Sequence, residues 1–201
     1  MGRAWPGSYR RPHRIADLRV LVGKLDTELA YAACSLLCAV IGAGYDLTSR
    51  RIPNAFTLPA IVFGLLLHCG LGGWRQLGSA TAGGLLCGVI FLLFHLAGGM
   101  GGGDVKLITA AGCTAGLSLV GPLLILTSLT GGVMAIGVAL YHRRLKETMV
   151  NMYTLAVHHG TKGLAPHPDF NLENAQALRL PYALAIAAGS ALSLGVLIVR
   201  R

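Results

Sequence analysis

The sequence predicts an all-α membrane protein, a polytopic bundle of about six transmembrane helices. Three observations predict it. The 201 residues are 54% hydrophobic and only 12% charged. Mean hydropathy is +0.63, and the chain holds 28 glycines, a residue more frequent in membrane helices than in soluble ones. The apolar residues fall into long runs separated by short polar turns, the pattern of successive crossings rather than of a soluble core.

Residues 1–28 carry six basic residues (Arg3, Arg10, Arg11, Arg14, Arg19 and Lys24) and two prolines. They read as a basic, disordered N-terminal extension without the apolar core of a cleavable signal. Residues 29–201 read as one transmembrane domain. Its first span runs about Leu29–Tyr45 and ends at Asp46. The second runs about Phe56–Gly72, after Pro53-Asn54, with Asn54 suited to cap the helix. The third covers about Ala80–Ala97. Val105–Tyr141 would be about 55 Å long as one helix, too long for a core of roughly 30 Å. Gly121-Pro122 is the expected break, giving a fourth and a fifth span. The sixth runs about Pro181–Val199, with Pro181 fitting the first turn. Between the fifth and sixth lies the one long polar loop, about His142–Leu180. Within it Leu145, Met149, Met152, Tyr153 and Ala156 share a helical face, as in a helix lying at a membrane surface.

Composition also excludes function classes. The net charge is +9, but the cations are scattered among apolar spans without an aromatic-basic stripe, so nucleic acid is not an expected partner. Anionic lipid headgroups are. Cys34, Cys38, Cys69, Cys87 and Cys113 sit in or beside apolar stretches with no C-x-x-C pair, and read as small buried hydrophobes. His142, His158, His159 and His167 lack metal-ligand spacing. His68 and His95, near span ends, read as polar tips at an interface. No metal or cofactor is expected. The glycine run 98–103 is followed by Asp104 where a phosphate-binding loop needs lysine. No G-x-S-x-G occurs, which disfavours a serine protease.

Two acids stand apart. Of eight Asp and Glu residues, six fall within residues 1–28 or after His142; the other two, Asp46 and Asp104, stand among the apolar stretches, where a carboxylate costs about 2.5–3.5 kcal/mol at mid-helix. Asp46 closes span one and Asp104 opens span four. Two crossings separate them, so both reach the same membrane face. Two carboxyls a few ångströms apart cannot both ionise cheaply, and such a pair holds one proton near neutrality. One member then activates water while the other polarises a carbonyl, which is the chemistry of an aspartic protease. The glycines before Asp104 leave room for an extended substrate backbone. Gly101, Gly102, Gly103, Lys106, Arg50, Arg51, Pro53 and Asn54 are the candidate substrate contacts around the pair. Lys106, Arg50 and Arg51 also suit tuning of the pair, or anchoring at the interface by snorkelling. With the N-terminus outside, eight basic residues flank the aspartate face and nine the other. Discounting the six in the extension leaves eight against three, which turns the aspartates toward the cytoplasm.

The stretches Asp46-Leu47-Thr48-Ser49-Arg50-Arg51-Ile52-Pro53-Asn54 and Gly101-Gly102-Gly103-Asp104-Val105-Lys106-Leu107 resemble the type IV prepilin peptidase family, a GxGD-type group of intramembrane aspartic proteases. Leu180-Pro181-Tyr182-Ala183-Leu184-Ala185-Ile186-Ala187 is similar to the family's stretch opening the last helix. The resemblance covers about residues 29–199 and is closest to the short CpaA/TadV-type branch, which serves Flp/Tad pili. It implies that Asp46 and Asp104 are the catalytic pair. It implies a prepilin substrate with a short basic leader ending in glycine, cut on the cytoplasmic side of the bacterial inner membrane. Longer members carry a cysteine-rich insert with paired C-x-x-C motifs and also methylate the new N-terminus. That insert is missing between Asp46 and the second span, so no methyltransferase activity is expected. The rival expectations are a proton-coupled transporter, because paired intramembrane acids also serve proton coupling, and a catalytically inactive pilus-assembly factor.

Overall fold

A computed structural model of the chain describes residues 13–97, 99–162 and 181–200. Six helices appear in it: α1 (His13–Ser49), α2 (Asn54–Leu96), α3 (Gly102–Ala115), α4 (Leu117–Tyr141), α5 (Leu145–Lys162) and α6 (Tyr182–Val199). No strand occurs among the described residues. The protein is an all-α membrane protein. Asp26–Ser49 of α1, and all of α2, α4 and α6, are long and apolar enough to cross a bilayer.

α2 holds the second and third predicted spans in one run of 43 residues. Gly73 breaks it, with φ 67° and ψ −161°, a conformation that only a residue without Cβ adopts freely. The limb before Gly73 and the limb after it run in opposite directions along α3. Asn54 meets Lys106, and His68 meets Thr114. On the return, Gly88 faces Thr109 and His95 reaches Met100. The second limb carries helix from Trp74 onward, so it begins well before the expected Ala80.

α3 is the axle of the bundle. Leu107, Ile108 and every residue from Ala110 to Ala115 are buried. α1 runs antiparallel to it, with Leu107 filling the space at Gly42 and the buried Ser35 hydroxyl donating to the Ala111 carbonyl at 3.0 Å. The second limb of α2 comes closer still. A Cβ on Gly83 would lie 2.8 Å from the Gly112 carbonyl oxygen, and a Cβ on Gly112 would lie 2.8 Å from that of Gly83. The two backbones are in contact because neither residue has a side chain. In a bilayer, where lipid is as apolar as leucine, this close packing is a main source of helix association.

Gly116, with φ 72° and ψ 165°, ends α3. The expected break at Gly121-Pro122 is therefore misplaced by five residues. Pro122 lies inside α4, and Pro59 likewise lies inside α2. Proline's fixed φ suits a helix and costs one ladder bond, which membrane helices tolerate. A left-handed φ is a stronger stop, and it is available at Gly116. The Leu117 N–H, left without a helical partner there, donates to the Ser79 hydroxyl at 3.0 Å.

α6 runs antiparallel to α4. Thr130 donates to the Ala185 carbonyl at 3.0 Å, and Gly189 sits against Thr127. Pro181 occupies the N-cap position rather than the first turn of α6. α5 packs on α4 and leaves Met149, Met152 and Tyr153 exposed. Ala156, the fifth residue expected on that face, has a side chain outside the described residues. α1 reaches back to His13, so residues 13–28, expected to be disordered, are helical. Residues 1–12 and His167 lie outside the described residues.

The Gly83–Gly112 contact yields a stability prediction. Gly83→Leu or Gly112→Leu is expected to cost about 1–3 kcal/mol, as overpacking does. A lowered unfolding temperature in detergent checks it. Gly78→Ala, at a site with nothing within 4 Å, is expected to leave that temperature unchanged or slightly raised.

Candidate active site

Asp46 lies in the last turn of α1, where its carbonyl accepts the Arg50 N–H at 2.9 Å. Arg50 takes φ 50°, a left-handed conformation that stops the helix. The chain then turns through Ile52, which is buried with 7% of its surface exposed. Ile52 packs on Gly103, where an added Cβ would lie 3.5 Å from the Ile52 Cβ. The two aspartate motifs, some fifty residues apart, thus touch directly. Lys106 adds a second tie, its ammonium donating to Asn54 Oδ1 at 2.8 Å. The rings of Tyr45 and Phe56, 5.5 Å apart, join the end of α1 to the start of α2 across the same turn.

Asp104 stands in the first turn of α3, after the N-cap residue Gly101. The unsatisfied N–H groups of a helix start favour a carboxylate. Its side chain folds back over Gly101, where a Cβ would lie 3.2 Å from Asp104 Oδ2. A side chain at 101 would crowd the carboxylate in this position. Burial, and after it the charge on Asp46, push the Asp104 carboxyl up to about 7, against a hydrogen bond from the Gly101 backbone that acts the other way. Asp46 and Asp104 are both half-buried. They form an electrostatic pair at one end of the bundle.

The predicted contacts divide. Gly101, Gly102 and Gly103 lead into Asp104 and form the start of α3. Pro53, not Asn54, holds the N-cap position of α2, and its carbonyl accepts the N–H groups of Phe56 and Thr57 at 3.1 and 3.2 Å. Asn54 is instead the acceptor for Lys106, so these two residues join α2 to α3. Arg50 and Arg51 are exposed, and the charge of Arg50 acts on Asp46. No group of three or more His, Cys, Asp or Glu side chains that could hold a metal ion occurs among the described residues.

Two residues near the pair are not among the predicted contacts. Tyr182, at the start of α6, lies within reach of the charge of Asp104. Its hydroxyl sits over Gly131 of α4, where a Cβ would lie 3.1 Å from it, and its ring meets Phe91 edge-on at 6.3 Å. Only its place in the Leu-Pro-Tyr stretch pointed toward it. His95 is not a free polar tip. Its Nδ1 hydrogen bonds the Met100 carbonyl at 2.8 Å.

Residues 31–136, which include both aspartates, match the type IV leader peptidase family. The chain belongs to that family. Its curated relatives include the prepilin leader peptidase/N-methyltransferase of Neisseria gonorrhoeae, 39% identical over 99 residues, 45% of this chain and 34% of that protein. The protein of the same name from Aeromonas hydrophila is 38% identical over 102 residues, 47% of this chain and 35% of that protein. The match therefore spans about a third of the length of these relatives. No solved structure matches the chain.

The pair predicts a labelling result that needs no assay of function. A carboxyl titrating at about 7 is protonated in a large fraction of molecules at neutral pH. Asp104 is therefore expected to react with a membrane-soluble carbodiimide near pH 7, read by mass spectrometry. Asp46→Asn removes the charge that raises Asp104, so the labelling midpoint should move to lower pH while burial keeps it above the usual carboxylate range.

Proposed function

We propose that this family member is a membrane-embedded aspartic endopeptidase that removes the short leader of prepilin-like proteins after a glycine. The observation that carries the reading is the meeting of Asp46 and Asp104. The turns that bear these carboxyls touch through Ile52 and Gly103 at one end of the bundle, and burial first, with the charge of Asp46 second, favours a proton on Asp104. Membership in a leader peptidase family gives that pair a reaction.

In the proposed reaction, a water molecule lies between the two carboxyls. The ionised member takes a proton from it as its oxygen attacks the scissile carbonyl carbon, and the protonated member donates to the carbonyl oxygen. The resulting tetrahedral diol collapses, the carbon–nitrogen bond breaks, and the leaving nitrogen takes a proton from the pair. As the diol collapses, one of its hydroxyls gives its proton to the ionised member, so the pair regains its single proton and one water is consumed. The pair titrates as a unit, so neither role belongs permanently to one aspartate.

The substrate class proposed is a prepilin of the Flp type, with a basic leader, a glycine and an apolar helix. The face bearing the pair is assigned to the cytoplasm, and the protein to the bacterial inner membrane. Cleavage without methylation is also proposed. The curated relatives bear both activities in their names, but here only the short link Arg50–Pro53 separates α1 from α2.

Co-expression with a small pilin bearing a glycine-ended leader tests the reading. The wild-type chain should produce the shorter pilin, seen as a mobility shift. Asp46→Ala and Asp104→Ala should each give no product while still inserting. Substantial cleavage by either variant at matched expression would overturn the assignment. A pH profile adds a signed test. The active pair holds one proton, so the rate should fall as pH rises through about 7, where the pair loses that proton.

A further inference from the structure

The segment that presents Asp104 is poor in means of holding itself still. Gly99, Gly101, Gly102 and Gly103 have no side chains to pack, and each glycine loses more conformational freedom on ordering than any other residue. Restraint must come from outside the run. Four contacts supply it. The Gly99 N–H donates to the Phe94 carbonyl at 2.9 Å. The Met100 side chain is buried, with 7% of its surface exposed. Ile52 bears on Gly103. The fourth is His95, which reaches from the last turn of α2 to the Met100 carbonyl at 2.8 Å.

The His95 contact differs from the others in being a side-chain hydrogen bond aimed into the loop. A carbonyl can only accept, so Nδ1 carries the proton. That fixes the tautomer and the ring plane. The ring so oriented lies along Gly102, where an added Cβ would be 3.6 Å from Cε1 and 3.7 Å from Nε2. His95 therefore grips the loop at two points: the carbonyl before Gly101 and the flank of Gly102. Asp104 follows one half-turn later, with its own N–H donating to the Gly101 carbonyl at 3.2 Å.

We propose that His95 is a positioning residue, whose hydrogen bond to the Met100 carbonyl holds the glycine loop so that the Asp104 carboxyl stays in register with Asp46. This inference rests on the reading of the two aspartates as the catalytic pair. His95 touches neither the substrate nor the reacting atoms in this account. Its role is to remove loop freedom before substrate arrives, and a small displacement of a catalytic group costs rate far more than binding.

The test uses the full-length protein in membranes with the glycine-leader pilin as substrate, and compares wild type, H95N, H95F, D46N and D104N. Asparagine offers an N–H near the position of Nδ1, and phenylalanine offers the ring without the donor. H95F is expected to lower kcat roughly ten- to hundred-fold with KM little changed, and H95N to restore most of that rate. The pH profile of H95F should also change shape. As Asp104 drifts from Asp46, their coupling weakens, and the basic limb moves to lower pH. A merely destabilised protein loses amplitude at every pH and keeps its profile. Unfolding temperatures in detergent monitor the fold of each variant. H95F with wild-type kcat, H95N as slow as H95F, or a slower H95F with an unshifted profile would each overturn the proposal. If the wild type fails to cut, or D46N or D104N cuts, the fault lies in the assignment of the pair. If both aspartate variants are dead and H95F is unaffected, only the role of His95 falls.

Discussion

The structure depends on how closely α3 is approached by its neighbours. Within a bilayer the hydrophobic effect does not favour one apolar helix over lipid, so association relies on contact distance and hydrogen bonds. The mutual exclusion of side chains at Gly83 and Gly112 brings two backbones together. The buried Ser35 hydroxyl then ties α1 to the same helix. Once α3 is clasped on these sides, the position of its first turn is fixed relative to the last turn of α1. The joining of the turns that bear Asp46 and Asp104, through Ile52 and Gly103, is a consequence of packing that lies mostly away from them.

The far end of α3 is organised around a histidine. His68 is fully buried, stacks on Tyr31 at 3.6 Å between ring centroids, and hydrogen bonds the Thr114 carbonyl at 3.1 Å. Its ring covers Gly116, whose positive φ turns the chain from α3 into α4. Both ends of this short helix therefore use the same device: a glycine at the turn and an imidazole from α2 against it. His95 serves the end that bears Asp104, and His68 the other.

Much of this was legible in the sequence. The apolar runs gave the helical class, and the acids standing among them singled out two residues whose turns the fold joins through Ile52 and Gly103. Counting crossings between Asp46 and Asp104 gave their common face, because parity needs no detail of packing. The boundaries were less legible, for identifiable reasons. Gly121-Pro122 is a louder local signal than Gly116, yet proline fits a helix in the dihedral that matters. Asn54 has the chemistry of a cap, but Lys106, distant in sequence, recruits its side chain. His95 and Tyr182 escaped for the same reason. Each acts on a residue of another segment, and no periodicity in its own segment records that.

In the proposed peptidase, the glycines at 101, 102 and 103 would bear on discrimination. A lining that exposes only main-chain amides has no vocabulary for distinguishing one amino acid from another. It can sense whether an incoming polypeptide is stretched out or coiled, and how much bulk it carries. Fidelity at the cut would then be a matter of shape, with a slender, uncoiled stretch admitted and a bulky or wound one refused.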